Sequence, residues 1–316
     1  MIEERGSLPG SSGSSGSSES DGDRIAPPPL APGELLAPGY RVVGFLRRGR
    51  DLDVYDLWSE ERTCRCVGKA VRPDRMARNN ARSRLLREGK LLVKLTHPHI
   101  VRAYEVQSAP VPLVVLETLP GETLAHLIDR RQKRLSAEEV AHLGLHLCSA
   151  IGYLHRNTVL HLDLKPSNII AAHGMAKVLD LSLARPPGPH RGGIGATGYM
   201  PPEQAQGGHL DTSSDVWGIG AVLYEAATRE PACDVGDETS TTEARKIVCQ
   251  PRPVRRARRL PAPLAAAIDV CLRADPVERP SIPELAMMLE TTVREAMAQA
   301  ASAEPAKSEH MGSPGA

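Results

Sequence analysis

The sequence predicts an α+β protein built as two lobes with a cleft between them. Short apolar runs crowd the stretch from Tyr40 to Thr118, and after Gly121 the pattern changes to long helical periods. The two ends are small and polar, which leaves residues 40–297 as the expected folded part, with 40–118 as the first lobe and 119–297 as the second.

Residues 6–39 read GSLPGSSGSSGSSESDGD and then PPPLAPGELLAPG, a composition that buries too little apolar surface to offset its ordering entropy. Residues 1–39 are therefore expected to be a disordered leader, native or a cloning linker, and 298–316 a disordered tail. The strand candidates are YRVVGFL from Tyr40, VYDLW from Val54, CRCVGKAV from Cys64, IVRAYEV from Ile100 and PLVVLE from Pro112. One helix interrupts them at Ala81–Leu95, where Leu85, Leu86, Leu92 and Leu95 recur at helical spacing. The second lobe carries amphipathic runs at Ser136–Arg156, Thr212–Arg229, Ala262–Ala274 and Ile282–Met297. Ser136 with Glu139, and Ser281 with Glu284, have the spacing of a helix-opening capping box.

Composition removes several classes of function. The 39 Lys+Arg and 38 Asp+Glu of the 316 residues leave a formal charge of +1, so no global field draws the chain to nucleic acid or a membrane surface. Arg accounts for 31 of the basic residues, a skew that matches a GC-rich genome rather than a function. Phe45 is the single Phe, so the core must be built from Leu, Val, Ile and Ala. No run approaches the ~18 apolar residues of a membrane-spanning helix, and the N-terminus lacks the form of a secretion signal. Six scattered cysteines include only one C-x-C pair, Cys64 and Cys66, which does not complete a zinc site; they are expected to be reduced thiols of a cytoplasmic protein.

Chemistry-bearing residues then arrive in a definite order. Lys69 ends a strand and Glu88 lies on the next helix. His161-Leu-Asp163-Leu-Lys165-Pro-Ser-Asn168 follows a long helix, and Asp180-Leu-Ser182 comes 17 residues after Asp163. Pro201-Pro202-Glu203, Asp215-Val-Trp-Gly and Asp275-Pro-Val-Glu-Arg279-Pro complete the series. In order and spacing, over about 260 residues, this resembles the bacterial branch of the eukaryotic-like protein Ser/Thr kinases.

The resemblance implies the bilobal protein kinase fold, Mg²⁺ and ATP, and protein substrates that offer Ser or Thr hydroxyls. Phosphoryl transfer asks the protein mainly to position groups and neutralise charge. Lys69 is then the cation on the α- and β-phosphates and Glu88 holds its ammonium, against the bland alternative of two solvated surface charges. Asp163 would accept the substrate hydroxyl's proton and Lys165 would steady the moving phosphate. Asn168 and Asp180 offer the hard oxygens Mg²⁺ prefers. Leu46, Gly49, Val54, Val67 and Ile170 would surround the nucleotide, with Leu116 as gatekeeper and Glu117 to Leu119 as the hinge. Structural roles fall to a Glu203–Arg279 ion pair, to Asp215 as acceptor of catalytic-loop N–H groups, and to a spine of Leu92, His161 and Leu181.

Four departures stand out. The loop that covers the nucleotide, Leu46-Arg-Arg-Gly49-Arg-Asp-Leu-Asp-Val54, keeps one glycine of three, with Arg47 and Leu52 at the other two positions. Lost glycines stiffen the loop and weaken the backbone grip on phosphate; Arg47, Arg48 or Arg50 either supply charge instead or are solvated surface groups. Ser182 replaces the glycine after Asp180-Leu181. Leu162 stands where the family often has Arg, and between Leu183 and Ala196 there is no Ser, Thr or Tyr. Neither a phosphorylation site nor a receiving charge exists there, so control by activation-loop phosphorylation is not expected. Ala196, where a Thr usually contacts the catalytic Asp, is followed by Thr197.

Two readings follow: an active Ser/Thr kinase not governed by activation-loop phosphorylation, or a pseudokinase serving as a nucleotide-gated scaffold. The six intact residues Lys69, Glu88, Asp163, Lys165, Asn168 and Asp180 favour the first. The run Arg252 to Arg259 is read as a solvated loop rather than a docking patch, and serines 11–20 as linker rather than phosphorylation sites. A regulatory partner protein is expected to bring the input; nucleic acid and membrane are not expected partners.

Overall fold

The computed structural model describes residues 26–131, 134–233 and 250–303. The first lobe is a six-stranded antiparallel sheet of β1 (Leu35–Ala37), β2 (Tyr40–Arg48), β3 (Leu52–Ser59), β4 (Cys64–Val71), β5 (Ala103–Gln107) and β6 (Leu113–Glu117), in the order β1-β2-β3-β4-β6-β5. Helix α1 (Asn79–Lys94) packs on it. Strand alternation divides the lobe's apolar residues between two cores. On β6, Leu113 and Val115 join a cluster with Leu57 and Tyr55, while Val114 and Leu116 join the main core with Leu85 and Leu92 of α1.

The first cluster corrects the expected leader. β1 pairs with β2, Leu36 and Ala37 are buried, and Leu30 packs beside them, so folded structure begins before Tyr40. Low apolar content over 39 residues concealed a short apolar triplet that finds a partner strand. The rest of that expectation, residues 1–25 with serines 11–20, lies outside the described residues.

The second lobe opens with β7 (Glu122–Thr123), α2 (Leu124–Arg130) and α3 (Ala137–Arg156), followed by β8 (Ile169–Ala172) and β9 (Met175–Val178). The Ser136–Glu139 capping box of α3 forms as expected, its two bonds measuring 3.0 and 2.6 Å. Next come β10 (Gly188–His190), α4 (Pro202–Gln206), β11 (Gly208–Leu210) and α5 (Thr212–Thr228). The chain ends in α6 (Val254–Ala257), α7 (Ala262–Cys271) and α8 (Ile282–Ala303). Helix α3 is the axis, packed against α5 and α8. The last helix runs six residues past Met297, so helical backbone extends beyond the expected start of the tail. Residues 304–316 lie outside the described residues.

Two further expectations are corrected. The arginine run is in part helical, and Arg258 turns inward, donating from Nη1 to Leu135 O at 2.6 Å and Ala227 O at 2.8 Å. Cys233 is disulfide-bonded, while Cys64, Cys66, Cys148 and Cys271 are free thiols. Pairing depends on Cα proximity, which spacing along the chain does not reveal. Among the described residues no helix is long and apolar enough to cross a membrane.

Candidate active site

Lys69 lies on β4 opposite Val54 of β3, so the sheet register sets where its ammonium emerges. Nζ stands 2.7 Å from Glu88 Oε1 and 3.3 Å from Asp180 Oδ2. Burial disfavours the charge of Lys69, yet the two carboxylates outweigh it and raise the amine above its usual range. Burial pushes Asp180 up as well, but the Lys69 ammonium and the Ser182 N–H, 2.8 Å from Oδ1, hold its carboxyl below the usual range. Glu88 is 1% exposed, and there burial raises the carboxyl against the pull of Lys69. Lys69, Glu88 and Asp180 thus meet where α1, β4 and the start of the segment after β9 come together.

The catalytic-loop residues are built from below. Asp215 of α5 accepts the N–H groups of His161 and Leu162, both at 2.8 Å, and its Oδ2 lies 2.8 Å from His155 Nε2. That anchor lets Leu162 hold a left-handed φ of 62°. Lys165 Nζ donates to Asp163 Oδ2 at 2.8 Å, and Asn168 Nδ2 donates to the same oxygen at 3.0 Å and to Asp163 O at 2.9 Å. Among the described residues, Asp163 Oδ1 and Asn168 Oδ1 accept no hydrogen bond. Both residues, with Lys165 and Asp180, line a cavity of 560 Å³. A smaller cavity of 170 Å³ beside it is lined by Gly49, Val54, Lys69, Glu88 and Asp180.

Eight expected site residues thus converge on two adjoining cavities. The others line neither. Leu46 is 55% exposed at the outer end of β2, whereas Leu116 is buried in β6 opposite Val67. Leu119 packs on the main core, and among the described residues its N–H and C=O have no backbone partner. The N–H of Glu117 donates to Arg102 O at 2.9 Å, and its carboxylate accepts from Lys177 at 2.6 Å. Ile170 pairs with Thr123 and Lys177 in the three-stranded sheet β7-β8-β9. A larger cavity, 630 Å³ between α2, α3 and the β8–β9 turn, contains none of these residues.

The structural matches also assemble. Arg279 donates to both Glu203 oxygens at 2.7 and 2.9 Å, with its side chain fully buried. Leu92, His161 and Leu181 are buried to within 1% exposure. Burial drives His161 below the usual imidazole range, and among the described residues its Nε2 meets no hydrogen-bond partner.

Sequence reasoning missed Gln204. Its side chain is buried, and Nε2 donates to Leu162 O at 2.9 Å and Ile194 O at 2.8 Å, joining the catalytic loop to the segment before α4. Gly195 makes room for it, since a Cβ there would lie 2.6 Å from that nitrogen. In the sequence Gln204 is only an amide beside the Pro-Pro-Glu motif, and nothing there marks its partners. Also missed was Arg87 of α1, which donates to Ser182 O at 3.0 Å.

A bilobal fold whose Lys–Glu–Asp triad faces an Asp–Lys–Asn loop defines a protein kinase, and the protein kinase domain family matches residues 40–289. The chain belongs to that family. It is 31% identical over 209 residues to the serine/threonine-protein kinase PknB of Mycobacterium leprae, covering 62% of this chain and 33% of that one. It is also 32% identical over 262 residues to PknK of Mycobacterium tuberculosis, covering 80% of this chain and 23% of that one. The chain thus spans about a quarter to a third of these curated relatives. The crystal structure of the Mycobacterium tuberculosis PknI kinase domain superposes with a TM-score of 0.66 at 22% identity, over 84% of this chain and all of that one, and shares the fold.

Proposed function

We propose that the protein is an ATP-dependent Ser/Thr protein kinase that works without phosphorylation of its activation segment. The observation that carries this is the closed ion triad, Lys69 2.7 Å from Glu88 and 3.3 Å from Asp180, whose Asp180 lines one cavity with Asp163, the Oδ1 of which accepts no hydrogen bond among the described residues. The residues fit Mg·ATP: Asp180 stays ionised, Asn168 Oδ1 is uncommitted, and two hard oxygens leave room for phosphates and water around the ion. When bound, Mg·ATP supplies the γ-phosphate and the charge that bridges its leaving group. Lys69 holds the α- and β-phosphates, Asp163 Oδ1 takes the hydroxyl proton, and Lys165 neutralises the moving phosphate. Leu119 supplies the backbone groups for adenine, Leu116 and Val67 bound its edge, and Leu46, Val54 and Ile170 close its faces. ATP as donor supports a cytoplasmic setting, with the Cys233 disulfide as the observation against it.

The activation segment is held by other means than a phosphate. Leu160 and Arg185 exchange backbone hydrogen bonds at 2.8 and 3.1 Å, β10 pairs with β11, and Gln204 ties Ile194 to Leu162. Leu162 packs with Leu160 and Leu210 in a small apolar cluster, so that position offers no charge to a phosphate. Among the described residues Thr197 makes no hydrogen bond to Asp163, and the pseudokinase alternative draws its support from that and from the altered loop. The test is transfer of labelled γ-phosphate to Ser/Thr of a protein substrate, with Asp163→Asn as control. Transfer should fall by about 10²- to 10⁴-fold in the variant while ATP still raises Tm. No transfer by the unmodified protein, with ATP still raising its Tm, would establish the scaffold instead.

A further inference from the structure

The single glycine left in the covering loop has already committed its amide. Gly49 N–H donates to Leu52 O at 2.7 Å and closes the hairpin between β2 and β3. From beneath, the buried Arg72 donates through Nη1 to Gly49 O at 3.1 Å and Arg50 O at 3.3 Å, and its backbone N–H donates to Asp51 O at 3.0 Å. Asp74 fixes that guanidinium at 2.9 and 2.7 Å. The turn is a closed hairpin held from its inner side, so a phosphate arriving in the cleft meets side chains rather than a cradle of amides.

Those side chains are arginines. Arg47 at the end of β2, Arg50 in the turn and Arg84 on α1 each line both the 170 Å³ and the 560 Å³ cavities. Among the described residues none of the three has a side-chain hydrogen bond or an ion pair. Their neighbours do: Arg48 is held by Asp53 at 2.8 and 2.9 Å, and Arg87 by Ser182 O. Asp51, on the same rim, faces Arg78 at 3.9 Å. Like charges gathered unpaired around one cavity raise its potential and favour an anion there.

We infer that Arg47, Arg50 and Arg84 form a clamp for the polyphosphate of the nucleotide, replacing by side-chain charge the grip lost with the two glycines. The inference rests on the reading that the cleft takes Mg·ATP. The guanidinium suits it, being always charged and forked to match two phosphate oxygens at once. Arg48, the third loop arginine, is excluded by its bond to Asp53.

Calorimetric binding of ATP, ADP and adenosine, with Mg²⁺ present, tests the clamp on the full chain. The variants are Arg47→Gln, Arg50→Gln and Arg84→Gln, singly and together, with Lys90→Gln on the exposed side of α1 as control. Each clamp variant should weaken ATP about tenfold, ADP less, and adenosine not at all, while Tm without nucleotide stays unchanged. Equal losses for ATP and adenosine, or ATP affinity unchanged in the triple variant, overturn the proposal. Unchanged ATP affinity with selective loss of turnover on an acidic or phosphorylated peptide assigns the arginines to the protein substrate and overturns it too. If the unmodified protein binds neither adenosine nor ATP, the kinase reading itself falls and the clamp with it.

Discussion

The floor of the cleft and its roof are built on opposite plans. The catalytic loop is wired to distant chain: Asp215 is 54 residues from His161, and Gln204 is 42 from Leu162. The roof closes largely on itself, Gly49 on Leu52 and Arg48 on Asp53, with Arg72 as its prop from outside. On the proposed reading the floor keeps every residue type that phosphoryl transfer requires, because a proton acceptor and metal ligands must be particular groups at particular points. The roof has only to bring positive potential near a phosphate and shed water. Backbone amides and arginines both do that, so substitution there is compatible with the same reaction.

The largest effect that separates the two regions should come from Arg279→Ala. It would leave Glu203, whose side chain is 13% exposed, with Ser214 Oγ as its remaining donor, and free the carbonyls of Arg273, Ser213 and Ala274 that Arg279 now satisfies. Breaking a buried pair in this way costs about 3–5 kcal/mol. Urea denaturation should show that loss; a loss below about 1 kcal/mol would mean the floor is no better anchored than an exposed surface pair. A smaller and more specific effect belongs to Gln204→Leu, which keeps the volume but leaves the carbonyls of Leu162 and Ile194 unsatisfied. Stability should drop by about 2 kcal/mol, and kcat by roughly tenfold with KM for ATP unchanged, since the geometry at Asp163 is disturbed but not the nucleotide site. Gln204→Glu should be similarly impaired at neutral pH and recover as pH falls, when a protonated carboxyl regains one donor. A kcat unmoved in both variants would show that the Leu160–Arg185 bonds and β10–β11 pairing hold the segment without Gln204.

What could be read from sequence follows the same division. The helices α1, α3, α5, α7 and α8 and the five expected strands of the first lobe were legible from period and capping, because each buries one face of a regular element. So were Lys69, Glu88, Asp163, Lys165, Asn168 and Asp180, whose order carries the family motif. Short strands such as β1, β10 and β11 were not, since three residues have no period and exist only through their partners. Gln204 was illegible for a related reason. Its role lies in two carbonyls that Leu162 and Ile194 would offer whatever their side chains, so no residue type marks the contact. The fate of the arginines was decided by neighbours: Asp53 takes Arg48, and among the described residues no side chain pairs with Arg47 or Arg50.

The smallest expected effect separates the regions by pH. His146 on α3, behind the floor, stacks on His99 with ring centroids 4.2 Å apart, and His99 Nδ1 lies 2.8 Å from Ala176 O. Burial first, then the neighbouring His99 and His142, lower His146 from the ordinary 6.5 to about 4. Between those values the unfolded chain binds the proton and the folded chain does not. Stability is therefore whole above pH 6.5 and declines as pH falls toward 4. Allowing for the partial exposure of the ring, the share of His146 is about 2 kcal/mol. His146→Phe keeps the stack without the titration, so its denaturation midpoint should fall less than that of the unmodified protein between pH 7 and pH 4.5. The roof variants at Arg47 and Arg50 should leave that slope as it is, because guanidinium does not titrate in this range. Equal slopes for His146→Phe and the unmodified chain would place the acid sensitivity elsewhere and remove this distinction between floor and roof.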